Sequence, residues 1–424
     1  MRSTVIRLLL ISIVLVQCLG IPSPASAAGW TVAYTSTVGQ IKTLAAYNGK
    51  LYGGGMNNDQ TNGHLYVFDG IAWSDLNFAS AVGITVDMIE SMEVFDNLLF
   101  IGTRVHSGTT YNSRVYRYDG TTFSQDFSGF GNSNQSGIED LVIHNGELYA
   151  ALGVMNGEVF KRIGPGNWAS VGGAFTSSQM PRALASFQGS LYLGTNYSGA
   201  VVRRWNGSSW ELVANLTSLL GIPQLSLWSL AADDSHLFAG PVGTMALVNS
   251  SIPAYDGSAW SASLAVIGNT RVKGVNGVVW AGTLDGKIFR YASGAWQAMG
   301  QLPYYAFDFA AYQGNIYAAG SDGKIYRRVE PKAWLLMYYL AGDSYSSAPG
   351  DAGDLSTHMA EVISSLHEMK NQNTYVAVFS DLSNADVQYI GLFSDGTTTT
   401  SVAIPQDELN SGDPQSLVDF MTWA

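Results

Sequence analysis

Cysteine is all but absent from this 424-residue chain: the single one, Cys18, lies in an apolar stretch near the N-terminus. That stretch has the form of an export signal. Arg2 and Arg7 make its positive region, residues 8–16 its apolar run, and Ala25-Ser26-Ala27 a small-residue cleavage pattern. Gln17 rather than a small residue precedes Cys18, so a lipid-anchored cysteine is not expected. Removing residues 1–27 leaves no thiol, which excludes disulfides, thiolate metal sites and a cysteine nucleophile within these residues. Charge is scarce as well. Charged residues make up 13%, the formal net charge is −12, and Lys and Arg nowhere cluster as a nucleic-acid or anionic-membrane partner would require. The signal's apolar run is too short to cross a bilayer comfortably, and no other run of 18 apolar residues occurs. A secreted, periplasmic or cell-surface protein without a membrane span is expected. The sequence also lacks any Asp-x-Asp-x-Asp run, and four of its six histidines, His64, His106, His144 and His236, stand isolated without metal-ligand spacing. Neither metal nor cofactor is expected.

What is present points to strands. Hydrophobic residues make up 46% and aromatic ones 12%, ample for packed cores, while Gly reaches 47 and Tyr 22, a mix of short strands and turns. The length suggests two domains. The stretch Ala46-Tyr47-Asn48-Gly49-Lys50-Leu51-Tyr52-Gly53 reads as strand, tight turn, strand, and its turn recurs at Asp96-Asn97, Asn145-Gly146, Gln188-Gly189, Asp234-Ser235, Asn276-Gly277 and Gln313-Gly314. Asn-Gly and its relatives tolerate the positive φ that two-residue hairpins need. A third strand follows each hairpin, as at Leu65-Tyr66-Val67-Phe68 and Val115-Tyr116-Arg117-Tyr118. A Gly turn then leads to an aromatic residue at Trp73, Phe123, Trp168, Trp210, Trp260 and Trp296.

Four antiparallel strands every 40 or so residues is the period of a β-propeller blade, and seven units predict a seven-bladed, mostly β ring over residues 28–331. The seventh unit lacks a fourth-strand aromatic of its own before Pro331. Trp30-Thr31-Val32-Ala33-Tyr34 has the form of that missing strand, so the N-terminus is expected to close the ring. The competing candidate is Trp334, which instead opens the apolar run Trp334-Leu335-Leu336-Met337-Tyr338-Tyr339-Leu340-Ala341, the pattern of a strand buried on both faces of a parallel sheet.

After Pro331 the pattern changes. Residues 354–370 place Leu355, Met359, Val362, Ile363, Leu366 and Met369 at helical spacing. Residues 374–380 read as a buried strand and 387–393 as a third strand at the sheet edge. Asp413-Pro414 opens a last helix, an incomplete α/β layer lacking at least one core strand. Three places here resemble the clostripain-like cysteine peptidases: the strand ending Leu340-Ala341-Gly342-Asp343, the strand Tyr375-Val376-Ala377-Val378-Phe379-Ser380-Asp381, and Glu408-Leu409-Asn410-Ser411-Gly412-Asp413-Pro414 with Leu417 and Phe420. The resemblance implies a caspase-like α/β fold over residues 332–424, of which only the front part is present. It places the catalytic His and Cys of that family beyond these residues. His358 and His367 lie on the expected helix and do not match the family's histidine. The polypeptide as given is expected to be inactive.

Within the propeller, one position recurs six residues before each turn, at the start of the innermost strand: Lys42, Glu90, Glu139, Arg182, Trp228, Thr270 and Phe307. These are expected to ring one mouth of the central channel, either as a ligand site or as the wall of a silent, water-filled channel. Arg203-Arg204 and Arg327-Arg328 are expected on solvent faces, and the Trp and Tyr series in blade cores. Two functions compete, while a third, catalysis in the propeller channel itself, has no catalytic constellation to support it. In one, the propeller is the substrate-recognition module of an exported clostripain-like peptidase, engaging a protein or peptide. In the other, it is a secreted, non-enzymatic binding or adhesion module with a vestigial tail. A monomer is expected in either case.

Overall fold

The computed structural model describes residues 30–36, 39–57, 62–107, 110–111, 113–128, 137–153, 157–175, 179–196, 199–220, 226–242, 249–328, 375–380, 387–394 and 399–405. The signal segment, the run around Trp334, the 354–370 helix and the segment at 408–420 lie outside the described residues. The protein divides into two units, Met1–Arg328 and Val329–Ala424.

Among the described residues, the first unit contains seven four-stranded antiparallel sheets. Their innermost strands are Gln40–Tyr47, Met88–Phe95, Ile138–His144, Met180–Phe187, Ser226–Ala232, Thr270–Val275 and Ala306–Tyr312, of blades 1 to 7. Each packs on the next, and the last on the first, so the strands form a closed ring. Each of the seven hydrophobic clusters lies between two adjacent blades, the one between blades 7 and 1 joining Ile41, Leu44, Leu51 and Tyr66 to Tyr312, Tyr317 and Ile325. Neither face of a single blade is covered by its own strands, so the ring is the smallest unit that buries them all.

Six of the hairpins turn as the sequence requires, with left-handed backbone at both turn residues, for example φ of 48° at Asn48 and 70° at Gly49. Blade 5 departs from this. The carboxylate of Asp233 accepts the N–H groups of Ser235 at 2.8 Å and His236 at 2.7 Å, so an Asp-led turn replaces the expected Asp234-Ser235 hairpin. The later turns use the same device. Asp69, Asp119, Asn206 and Asp256 each accept two backbone N–H groups two and three residues on, which holds the Asp256 carboxyl down at about 2.

The glycine of the second strand is a packing requirement in several blades. A Cβ on Gly54 would stand 2.5 Å from Cγ2 of Ile89, and one on Gly102 2.7 Å from Cγ2 of Ile138, each on the next blade's inner strand. Blades 3 and 7 carry Ala151 and Ala319 at the same point of the ladder.

The N-terminus closes the ring. Trp30–Thr35 pairs antiparallel with Lys324–Arg328 and is the fourth strand of blade 7. The Trp30 indole N–H donates to the Met299 carbonyl of blade 6 at 2.8 Å, as Trp168 does to Asp126, Trp210 to Val171 and Trp296 to Ser263, each reaching the preceding blade. One solvent-face expectation is corrected here. Arg328 is buried, its guanidinium donating to the same Met299 carbonyl at 2.6 Å and lying 5.9 Å from the Trp30 ring, because it faces the seam the N-terminal strand seals.

In the second unit the described strands Tyr375–Ser380, Val387–Ser394 and Thr399–Pro405 form one antiparallel sheet in that order. The expected edge strand is therefore the middle one. Residues 399–405, whose Thr-rich start carries little hydrophobic signal, supply a strand that the sequence pattern did not reveal.

Candidate functional site: the channel mouth

The recurring mouth position has a structural cause. In six blades the inner strand carries a β-bulge that skips one residue of its ladder, and the skipped residues are Lys42, Glu90, Glu139, Arg182, Trp228 and Phe307. Bulges re-aim side chains, and their repetition makes a rim of residues free of sheet pairing at one level. Lys42, Glu90, Glu139, Trp228 and Phe307 line a cavity of about 260 Å³, and Arg182 joins them through Glu139 and Trp228.

Blade 6 breaks the series. Its inner strand pairs without a bulge, so Thr270 falls opposite Thr283 and takes the fully buried place that Ile41 holds in blade 1. The channel-facing residue at this level is Arg271, one position on. Counting back from the turn assumes a bulge in every blade and misplaces Thr270 by one residue.

The rim is an arrangement of charges and rings. Arg104, from the second strand of blade 2, sits 2.5 Å from Glu90 and 3.6 Å from Glu139, and Arg182 pairs closely with the other oxygen of Glu139. Burial pushes the Glu139 carboxyl up, with the Arg182 guanidinium pulling the other way. Across the ring, the Lys42 ammonium lies 4.0 Å from the centre of the Phe307 ring, and the guanidiniums of Arg271 and Arg182 lie 4.9 and 5.8 Å from that of Trp228. Burial lowers the Lys42 ammonium to about 8, against the opposing pull of Glu90.

In five blades the next residue along the inner strand ties adjacent blades together. Asp308 of blade 7 accepts from the Leu44 N–H at 2.8 Å and the Thr43 hydroxyl at 3.1 Å in blade 1. Asp140 accepts from the Leu184 N–H at 2.7 Å, and Ser229 from the Val272 N–H at 2.8 Å. Deeper still, Lys273 approaches Asp308 at 3.9 Å and is held protonated well above its ordinary range, first by Asp308. Burial pushes Glu93 up, and Asp140 to about 7. Sequence reasoning missed this second tier, although the strand alternation two residues apart carried the signal in Glu93 and Lys273.

Among the described residues no group of His, Cys, Asp and Glu could hold a metal ion, and no helix is long and apolar enough to cross a membrane. No family model and no curated protein matches the sequence. Among solved structures, YCF48 bound to D1 peptide superposes with a TM-score of 0.50 at 15% identity, covering 71% of this protein and 97% of that one. The GH74 xyloglucanase from Xanthomonas campestris superposes with the same TM-score and identity over 70% of this protein, which spans only 52% of that enzyme. The computationally designed Ika8 protein matches at a TM-score of 0.45 and 12% identity, over 69% of this protein and 98% of that one. The protein is a seven-bladed β-propeller. At such identities the likeness shows the fold alone.

Proposed function

We propose that the propeller is a recognition module that holds a protein or peptide segment at the channel mouth, and that it forms the front of an exported clostripain-like cysteine peptidase. The observation that carries the recognition role is the rim itself. Two half-buried aromatic rings, Trp228 and Phe307, flank charged groups over a cavity of about 260 Å³, and all stand on sheet strands rather than loops. Aromatic residues and arginine on a rigid support are the usual anchors of peptide recognition. YCF48, which shares the fold, has been captured with a D1 peptide, so this ring architecture is compatible with such a ligand.

Support for the peptidase assignment comes from the Glu408-Leu409-Asn410-Ser411-Gly412-Asp413-Pro414 segment and the two apolar sequence runs before it, at 334–341 and 375–379. On this reading the thiolate and imidazole of that chemistry would be supplied from beyond residue 424. The second reading is a binding module without catalysis. Reading the coding sequence beyond Ala424 separates the two. A histidine segment followed by a cysteine at a strand end supports the peptidase, and a stop codon supports the binding module.

The recognition role is tested by immobilising residues 28–424 and measuring retention of a casein digest. The Trp228→Ala/Phe307→Ala double variant is expected to retain at least about tenfold less. Unchanged retention by a folded double variant would remove the mouth from consideration.

A further inference from the structure

We propose that the mouth recognises a carboxylate of its peptide ligand, held between the Lys42 ammonium and the Arg271 guanidinium. The inference rests on the recognition role proposed above and names its chemistry. Passing from blade 4 through blade 7 to blade 1, the rim alternates cation and ring: Arg182, Trp228, Arg271, Phe307, Lys42. The opposite arc holds the rim's two carboxylates, and both are already matched, Glu90 by Arg104 and Glu139 by Arg182 and Arg104.

Among the described residues, Lys42 and Arg271 face the cavity with no carboxylate paired to either. Lys42 rests on the face of Phe307. Arg271 donates to the Trp228 carbonyl at 2.7 Å, and its Nε is buried without a hydrogen-bond partner among those residues. The Tyr305 phenol, buried beside Arg271, carries no charge to satisfy it, since burial raises its pKa. Four rim cations thus stand against two rim carboxylates, in a protein whose net charge is −12. Burying an ammonium without a counter-ion is costly, and burial accordingly depresses Lys42 to about 8. An arriving anion relieves that cost, and a guanidinium adds paired donors suited to a carboxylate.

The floor of the cavity sets where the anion sits. There Asp308, Asp140 and Glu93 face the single ammonium of Lys273. That ammonium is already held by Asp308, so an anion finds no unpaired cation in that tier and is held at the rim. The Phe307 and Trp228 rings beside it suit a carboxylate joined to an apolar group, from either the C-terminus of a peptide or an acidic residue within it.

The test is calorimetric titration of residues 28–424 with three peptides: acetyl-Ala-Ala-Phe as the free acid, the same peptide as its amide, and acetyl-Ala-Asp-Phe amide. At least one acid is expected to bind about tenfold or more tightly than the uncharged amide, the loss expected for one charge-assisted contact. Whichever acid binds identifies the source of the carboxylate. Lys42→Met and Arg271→Met are each expected to remove about tenfold of that preference, and Lys42→Arg to restore it. Equal affinity of all three peptides overturns the carboxylate site and leaves the recognition role standing. Binding of none, with casein-digest retention intact, also overturns the carboxylate site, whereas loss of retention as well overturns the recognition role. The comparison of acid with amide on the unmodified protein needs no variant to fold.

Discussion

Asp140 holds its place between two backbone N–H groups, those of Leu184 at 2.7 Å and of its neighbour Leu141 at 3.0 Å, and both favour the carboxylate. Burial outweighs them and the more distant Lys273, so the carboxyl is pushed up to about 7. A folded-state value above the ordinary one means that the native protein binds the proton more tightly than the unfolded polypeptide does. The associated stability is fully present below about pH 4 and is lost as the pH rises through about 7. Asp140→Asn keeps an acceptor for Leu184 and removes the titration. Between pH 4.5 and 8 the wild-type protein should lose about 3 kcal/mol relative to the variant, the linkage value of such a shift over that window. Urea melts at both pH values check it. Parallel wild-type and variant profiles would show that Asp140 is ionised throughout. Glu93 and Glu139 are also raised by burial and slope the same way, which is why the comparison is with the variant rather than with a flat line.

At the level of the strands, the second-strand glycine pairs with the residue just past the inner-strand bulge in blades 1, 2, 4 and 5. In blade 1, Gly54 pairs with Thr43, the residue just past the bulged Lys42, and its bare Cα leaves room for Ile89 of blade 2. Gly54→Val should therefore cost about 1–3 kcal/mol by overpacking. Gly164→Ala, at a strand end with nothing within 4 Å of the added Cβ, should be neutral or slightly stabilising. Thermal melts of the two variants make the comparison, and an unshifted midpoint for Gly54→Val would show that the blades can separate to admit a side chain. The turns and ladder strands were legible because each is written in local chemistry: Asn-Gly for positive φ, an aromatic residue for the blade face. The rim was legible only as a constant offset from the turn, and it was misread where blade 6 omits its bulge. Nothing local distinguishes Thr270 from a bulged residue. The pairing of Arg104 with Glu90 and Glu139 was not legible at all, since it joins two blades through side chains whose meeting depends on the closed ring.

Besides the cluster between blades 7 and 1, two specific contacts join the ring's sequence-distant ends. On the inner side, Asp308 of blade 7 holds the Leu44 N–H of blade 1 across 264 residues. On the outer side, Trp30–Thr35 pairs with Lys324–Arg328, and the Trp30 indole packs edge-on to Trp280 at 6.3 Å while bonding Met299. Closing so long a loop costs about 3 kcal/mol more than closing one of about ten residues, because the entropy grows only with the logarithm of its length. A single buried tryptophan is then a sizeable part of the closure energy. Trp30→Ala should cost about 3–5 kcal/mol, the usual loss for a buried tryptophan, and should leave the buried Arg328 guanidinium without the ring it lies against. If the outer contact fastens blade 7 specifically, amide exchange in Lys324–Arg328 should quicken well beyond that in Val201–Trp205, the matching strand of blade 4. Equal acceleration in both strands would mean that the ring opens only as one cooperative unit, with Trp30 adding stability but no local fastening.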